Sequence, residues 1–165
     1  MCFDEKSLQL LADGRVGEPP QPGQSRRRDY EYVRHGTRTI LVFVEPLTGQ
    51  RHVLITLHRT KEDFAKAMRY LVQVLYPLAL TIHLVLDHLN THTIEIFRMP
   101  EAAPIVSRLK FHYTPLHASW TNIAEIELSA LTRHCLDRRI ADEWTLTTEL
   151  INSETARNLK AKPIR

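Results

Sequence analysis

Two runs of the chain read as strands before anything else. Thr39-Ile40-Leu41-Val42-Phe43-Val44 and His52-Val53-Leu54-Ile55-Thr56-Leu57 are rich in β-branched and aromatic residues, with the turn Pro46-Leu47-Thr48-Gly49 between them. They predict an antiparallel hairpin. Thr60-Lys61-Glu62-Asp63 then has the form of a helix start, with Thr60 as N-cap and acids in the first turn. Phe64, Ala67, Met68, Leu71, Val72 and Leu75 recur at helical spacing until Pro77. Ile82 to Leu86 is a short apolar strand of the kind buried on both faces. A short helix is expected over Thr91 to Phe97, and Leu109, Phe111 and Tyr113 alternate with polar residues as a strand ending before Pro115. From Asn122 the chain reads as helical through Leu131, and again from about Trp144 to Leu159. A further strand opens the chain around Asp4. Residues 12–30 carry Gly14, Gly17, Pro19, Pro20, Pro22, Gly23 and Arg26-Arg27-Arg28, which predicts a long basic surface loop. Antiparallel strands followed by alternating strands and helices predict an α/β fold, a mixed sheet flanked by helices.

Composition narrows the class without choosing a function. At 165 residues, 43% hydrophobic and 25% charged, the chain is one globular domain with a full core. No apolar stretch reaches the ~18 residues of a membrane span, and Met1-Cys2-Phe3-Asp4 is not a signal peptide. Two cysteines, Cys2 and Cys135, make no disulfide framework, so a cytoplasmic location is expected. A net charge of +3 permits a polyanionic partner without demanding one.

The candidate chemistry lies in three acids. Asp4 sits in a probable first strand, Asp87 follows a buried strand, and Glu125 stands in the first turn of a helix. Each has an ordinary explanation alone: a solvated strand pair with Glu5, a turn or cap, and a capping box with Asn122. Together, three carboxylates suit hard divalent cations and phosphodiester chemistry. Rival readings are weaker. His88 and His92 have the i, i+4 spacing of zinc ligands, but Leu89 stands where a zinc hydrolase motif needs Glu. Cys135 is read as a buried thiol and Trp120 as a packing anchor.

The flanking residues add a family resemblance. Asp4-Glu5-Lys6-Ser7, Tyr30-Glu31-Tyr32-Val33-Arg34-His35-Gly36-Thr37, Phe43-Val44-Glu45-Pro46-Leu47-Thr48-Gly49, Val85-Leu86-Asp87-His88-Leu89-Asn90-Thr91-His92, Tyr113-Thr114-Pro115 and Trp120-Thr121-Asn122-Ile123-Ala124-Glu125 resemble the DDE catalytic domain of mariner-like bacterial insertion-sequence transposases. The resemblance runs over residues 1–150 and leaves 151–165 as a divergent tail. It implies an RNase H-like fold, DNA cleavage and strand transfer in transposition, and two Mg²⁺ or Mn²⁺ ions. It maps Asp4, Asp87 and Glu125 onto the catalytic, metal-holding acids, with Asn90, His92 and Asn122 supporting them. Arg26, Arg27, Arg28, Arg34 and Lys110 are candidate DNA contacts, and a second copy or an intact transposase is a candidate partner. Three departures matter: no DNA-binding domain precedes Asp4, so the first strand is expected to be clipped; His88 replaces the usual Asn; and the tail differs. Impaired turnover is therefore expected. The alternative is a non-catalytic remnant that binds nucleic acid or an intact transposase.

Overall fold

The computed structural model describes residues 1–15, 23, 30–92, 103–116 and 118–164. Five strands form one mixed sheet: β1 (Cys2–Asp13), β2 (Tyr32–Glu45), β3 (Gln50–Thr56), β4 (Ile82–Leu86) and β5 (Leu109–Tyr113). Their order across the sheet is β3-β2-β1-β4-β5. β2 runs antiparallel to β1 and β3, whereas β1, β4 and β5 are mutually parallel. The hairpin, the mixed sheet and its flanking helices are as the sequence predicts.

Strand alternation splits the core into two layers. Phe3, Leu41, Phe43, Leu84, Leu86 and Leu109 face one side and pack with Phe64, Met68, Leu71 and Ile105. Phe64 and Met68 come from α1 (Lys61–Tyr70), Leu71 from the turn that continues it, and Ile105 from the short α2 (Ala103–Val106). Cys2, Leu10, Ile40, Val42 and Val44 face the other side and pack with Ala124, Leu128, Leu131, Leu146 and Leu150. Those belong to α3 (Ile123–Leu131) and α4 (Glu143–Lys160). Central β2 is buried on both faces from Thr39 to Val44, which is why its sequence is almost unbroken in apolar residues.

The helix ends follow their caps. Thr60 and Asp63 form a reciprocal capping box on α1. The helix then widens into a π-turn over Leu71–Leu75. Arg108 closes that end by donating to the carbonyls of Val72, Tyr76, Pro77 and Ala79, satisfying groups that a helix terminus leaves open.

Several boundaries differ from expectation. β1 runs from Cys2 through Asp13, so the loop expected from residue 12 starts no earlier than Gly14. β2 starts at Tyr32 and pairs with this extension, Leu11 against Arg34 and Asp13 against Tyr32. The ribbon lies outside both core clusters, so no core-facing hydrophobic pattern marks it. Arg26, Arg27 and Arg28 lie outside the described residues, as does most of the helix expected over Thr91 to Phe97. Thr91 and His92 are described, and they sit in a turn closed by the His92 amide on the Leu89 carbonyl at 2.8 Å. Residues 151–160 continue α4, as the helix expected to about Leu159 requires. No described helix is long and apolar enough to cross a membrane.

Candidate metal centre

β1 and β4 pair at Cys2 and Val85, and continuing that parallel register brings Asp87 level with Asp4. Asp4 points to the α3 side of the sheet, between Cys2, which packs there, and Lys6, which donates to Thr132 Oγ1 at 2.7 Å. Asp87 lies just past the carboxyl end of β4. In open α/β sheets this is where ligands gather, at the point where neighbouring connections diverge. Here the sheet changes sense, with antiparallel β2 on one side of β1 and parallel β4 on the other.

Asn122 brings in the third acid. Its side-chain oxygen caps α3 by accepting from the Ala124 amide at 3.2 Å. Its Nδ2 donates to the Phe3 carbonyl at 2.7 Å, the peptide directly before Asp4. One buried amide thus pins the start of α3 to β1 and carries Glu125 in the first turn. The capping box is not formed: among the described residues, the Glu125 carboxylate has neither a hydrogen bond nor an ion pair.

Asp4 feels the charges of both other acids. Burial pushes the Asp4 carboxyl up to about 6, and the charges of Asp87 and Glu125 push the same way against a hydrogen bond from the Glu5 amide. Asp4 has no ion pair among the described residues. Asp87 behaves oppositely, because a hydrogen bond from His92 holds its carboxyl below the usual range. His92 Nδ1 lies 2.7 Å from Asp87 Oδ1. His92 itself is 1% exposed. Burial would lower its basicity, but its bonds to Asp87 and Glu5 win and raise the imidazole to about 9. Glu5, on the opposite face of β1 from Asp4, completes an ion pair with Arg59.

The remaining expectations divide. His92 and Asn122 touch the site as supporting groups, while Asn90 is an exposed turn residue with no such contact among those described. His88 does not approach the metal side; its exposed ring stacks on Tyr113, with centroids 5.0 Å apart. That geometry, with His92 boxed in the core, also removes the two-histidine zinc pair, because residues 87–92 are not helical. Trp120 is 72% exposed in a 3₁₀ turn, so it is not a packing anchor. Asn122 fills the buried position there instead. Cys135 is a buried thiol donating to the Leu131 carbonyl. Lys110 is exposed on β5 opposite His83, four positions before Asp87. Arg34 lies seven positions beyond Asp4 along β1, so the two cations do not share a patch. Glu5 and Arg59 were invisible as site residues, because positions 5, 59 and 92 follow no period.

Three carboxylates suit a hard cation, and a half-buried acid without an ion pair among the described residues fits one. Even so, no three His, Cys, Asp or Glu side chains among the described residues form a ready-made cage.

The family model described as DDE superfamily endonuclease matches residues 1–147. Among solved structures, the chain is similar to the Mos1 mariner paired end complex with Mn, at 13% identity and a TM-score of 0.60. That match covers 97% of this chain and 50% of the other, so the chain spans about half its length. The shared fold is RNase H-like. A simian T-cell lymphotropic virus intasome in complex with PP2A regulatory subunit B56 gamma aligns at 8% identity, covering 97% of this chain and 47% of that one, with a TM-score of 0.43. No curated protein matches the chain.

Proposed function

The chain belongs to the DDE superfamily endonuclease family, and from that premise we propose that Asp4, Asp87 and Glu125 hold divalent metal for cutting and joining DNA strands in transposition. The observation that carries this reading is Asp4: a half-buried carboxylate with no ion pair among the described residues, raised to about 6 by burial and by the charges of Asp87 and Glu125. Burying such a group is unfavourable unless a cation compensates it. Metal binding is expected to draw the three acids together.

Bound Mg²⁺ or Mn²⁺, two ions in this proposal, supplies charge neutralisation at the scissile phosphate and a stronger nucleophile at neutral pH. The protein's part is positional. β1 presents Asp4 on a rigid central strand, Asn122 fixes α3 and hence Glu125, and His92 orients Asp87. Residues 1–150 form the catalytic unit in this reading, with α4 bracing it. DNA and a second copy of the chain are the partners this reading implies.

Thermal melting with and without Mn²⁺ tests the site. At one hundred times Kd, binding to the folded state adds ~2.7 kcal/mol, or roughly 5–10 °C for a chain of this size. That rise should vanish in Asp87→Asn, and Mn²⁺-dependent nicking of supercoiled DNA should vanish in Asp4→Asn, Asp87→Asn and Glu125→Gln. A cooperative melt indifferent to Mn²⁺ would overturn the proposal. Salt-dependent DNA binding that survives Asp87→Asn without nicking would support the non-catalytic alternative.

A further inference from the structure

Strand pairing between β1 and β4 is recorded at a single residue pair, Cys2 with Val85. Beyond it the ladder stops, yet Asp87 must be held against Asp4 with little freedom. The Leu89 amide reaches Asp87 Oδ1 at 3.3 Å, a weak tether. The strong bond comes from His92.

His92 is in turn immobilised. Its ring stands edge-on to Phe3 at 5.2 Å and tilted against Phe64 at 4.9 Å. Its amide closes the turn on Leu89, and its carbonyl accepts from the Tyr113 hydroxyl at 2.8 Å. The far nitrogen, Nε2, faces Glu5 Oε2 across 3.6 Å and has no other partner. Glu5 is itself sequestered, its side chain 3% exposed, and Arg59 closes the row from the half-open end. The ring thus lies between two carboxylates, hydrogen-bonded to Asp87 and facing Glu5 at longer range. The four side chains form a row: Arg59, Glu5, His92, Asp87.

We propose that Glu5, backed by Arg59, is a positioning residue for Asp87, acting through His92 in place of the strand ladder that ends at Val85. The inference rests on the reading of Asp87 as a metal ligand. Adjacent residues on one rigid strand then serve the centre from its two faces: Asp4 directly, and Glu5 by fixing the acid that arrives from β4. A carboxylate held through a histidine in this way keeps Oδ1 engaged and leaves Oδ2 for the cation. Loss of an outer partner of this kind typically costs ten- to a hundred-fold in metal affinity.

The experiment is Mn²⁺ affinity by electron paramagnetic resonance on the full chain, alongside melting in EDTA. The set is wild type, Glu5→Gln, Arg59→Ala, Arg59→Lys and Asp87→Asn. Glu5→Gln should melt cooperatively and bind Mn²⁺ at least tenfold more weakly. Arg59→Ala, on a half-exposed side chain that a folded protein tolerates losing, should weaken binding by severalfold, and Arg59→Lys should restore it. Should Glu5→Gln fail to fold, the Arg59 pair decides the matter. Affinity within twofold of wild type in the folded variants, with Asp87→Asn binding lost, overturns the positioning role and leaves the metal site standing. Unaltered affinity in Asp87→Asn removes the premise, and the inference with it.

Discussion

At Asp4, stability and function pull in opposite directions. Its carboxylate is half-buried and sits near two like charges, so the ionised form is disfavoured in the metal-free fold. Asp4→Asn keeps an acceptor for the Glu5 amide, which Asp4 Oδ1 now engages at 2.7 Å, while removing the charge. The variant should melt a few degrees higher than wild type in EDTA and show no further rise with Mn²⁺. Calorimetry in both conditions checks this, and a lower melting temperature in EDTA would mean that the carboxylate is compensated after all. Gly49 gives the opposite case, a residue whose only service is conformational. It turns the β2–β3 hairpin at φ +77°, and a Cβ there would run into the backbone of Lys162. The segment it would displace is anchored, since the Ile164 amide donates to the Pro46 carbonyl at 2.8 Å. Left-handed strain alone costs ~1–2 kcal/mol. Gly49→Ala should therefore lower the melting temperature by roughly 5 °C or more, without changing Mn²⁺ affinity in protein still folded.

Among the elements, α4 has the clearest structural duty. β3 is an edge strand, and open edges invite pairing with other chains. α4 covers this one with side chains: Asn158 both accepts from the Arg51 amide at 3.0 Å and donates to its carbonyl at 2.7 Å, and Glu154 accepts from the Val53 amide at 3.1 Å. Beneath them Glu127 of α3 is clamped between Arg51 and Arg157, at 2.8 Å and 2.7 Å. Removing the shared acid strands two cations, one of them fully buried. Glu127→Ala should cost ~3–5 kcal/mol, seen as a melting temperature lower by roughly 10 °C and little altered by salt. Much at this scale is legible in the sequence, and the exceptions have a common cause. The hairpin, α1 with its Thr60 cap, and the helices after Asn122 and around Trp144 all carry apolar periods or local caps. The ribbon of Leu11–Asp13 against Tyr32–Arg34 carries neither, because so short a ribbon outside both core clusters shows no core-facing period. The site divides the same way. Asp4, Asp87 and Glu125 stand out through their local motifs, whereas Glu5 and Arg59 enter only through tertiary packing. Trp120 misled because a large aromatic is ordinarily buried, and here a small amide holds the buried place.

For the whole molecule, the placement of charge sets a test of how DNA lies on it. The α3 side of the sheet is covered over β1, β2 and β3 but leaves His83, Lys110 and His112 exposed on β4 and β5. At the other end, Arg34 of the β1–β2 ribbon and Arg139 of the segment before α4 flank the Tyr32 ring, at 5.7 Å and 5.6 Å from its centre. Lys110 stands four strand positions to one side of the carboxylates and Arg34 seven to the other. At ~3.3 Å per residue they are ~35 Å apart, close to one turn of duplex. A duplex laid along the sheet past the three acids would meet both cations. Each phosphate contact contributes about one unit to the slope of log affinity against log salt. Lys110→Ala and Arg34→Ala should then each flatten that slope by about one, and, being distant, their effects should add in the double variant. Fluorescence anisotropy across a salt series reads all three. If the double variant falls no further than one single variant, only one of the two cations touches the duplex, and the path along the sheet is wrong.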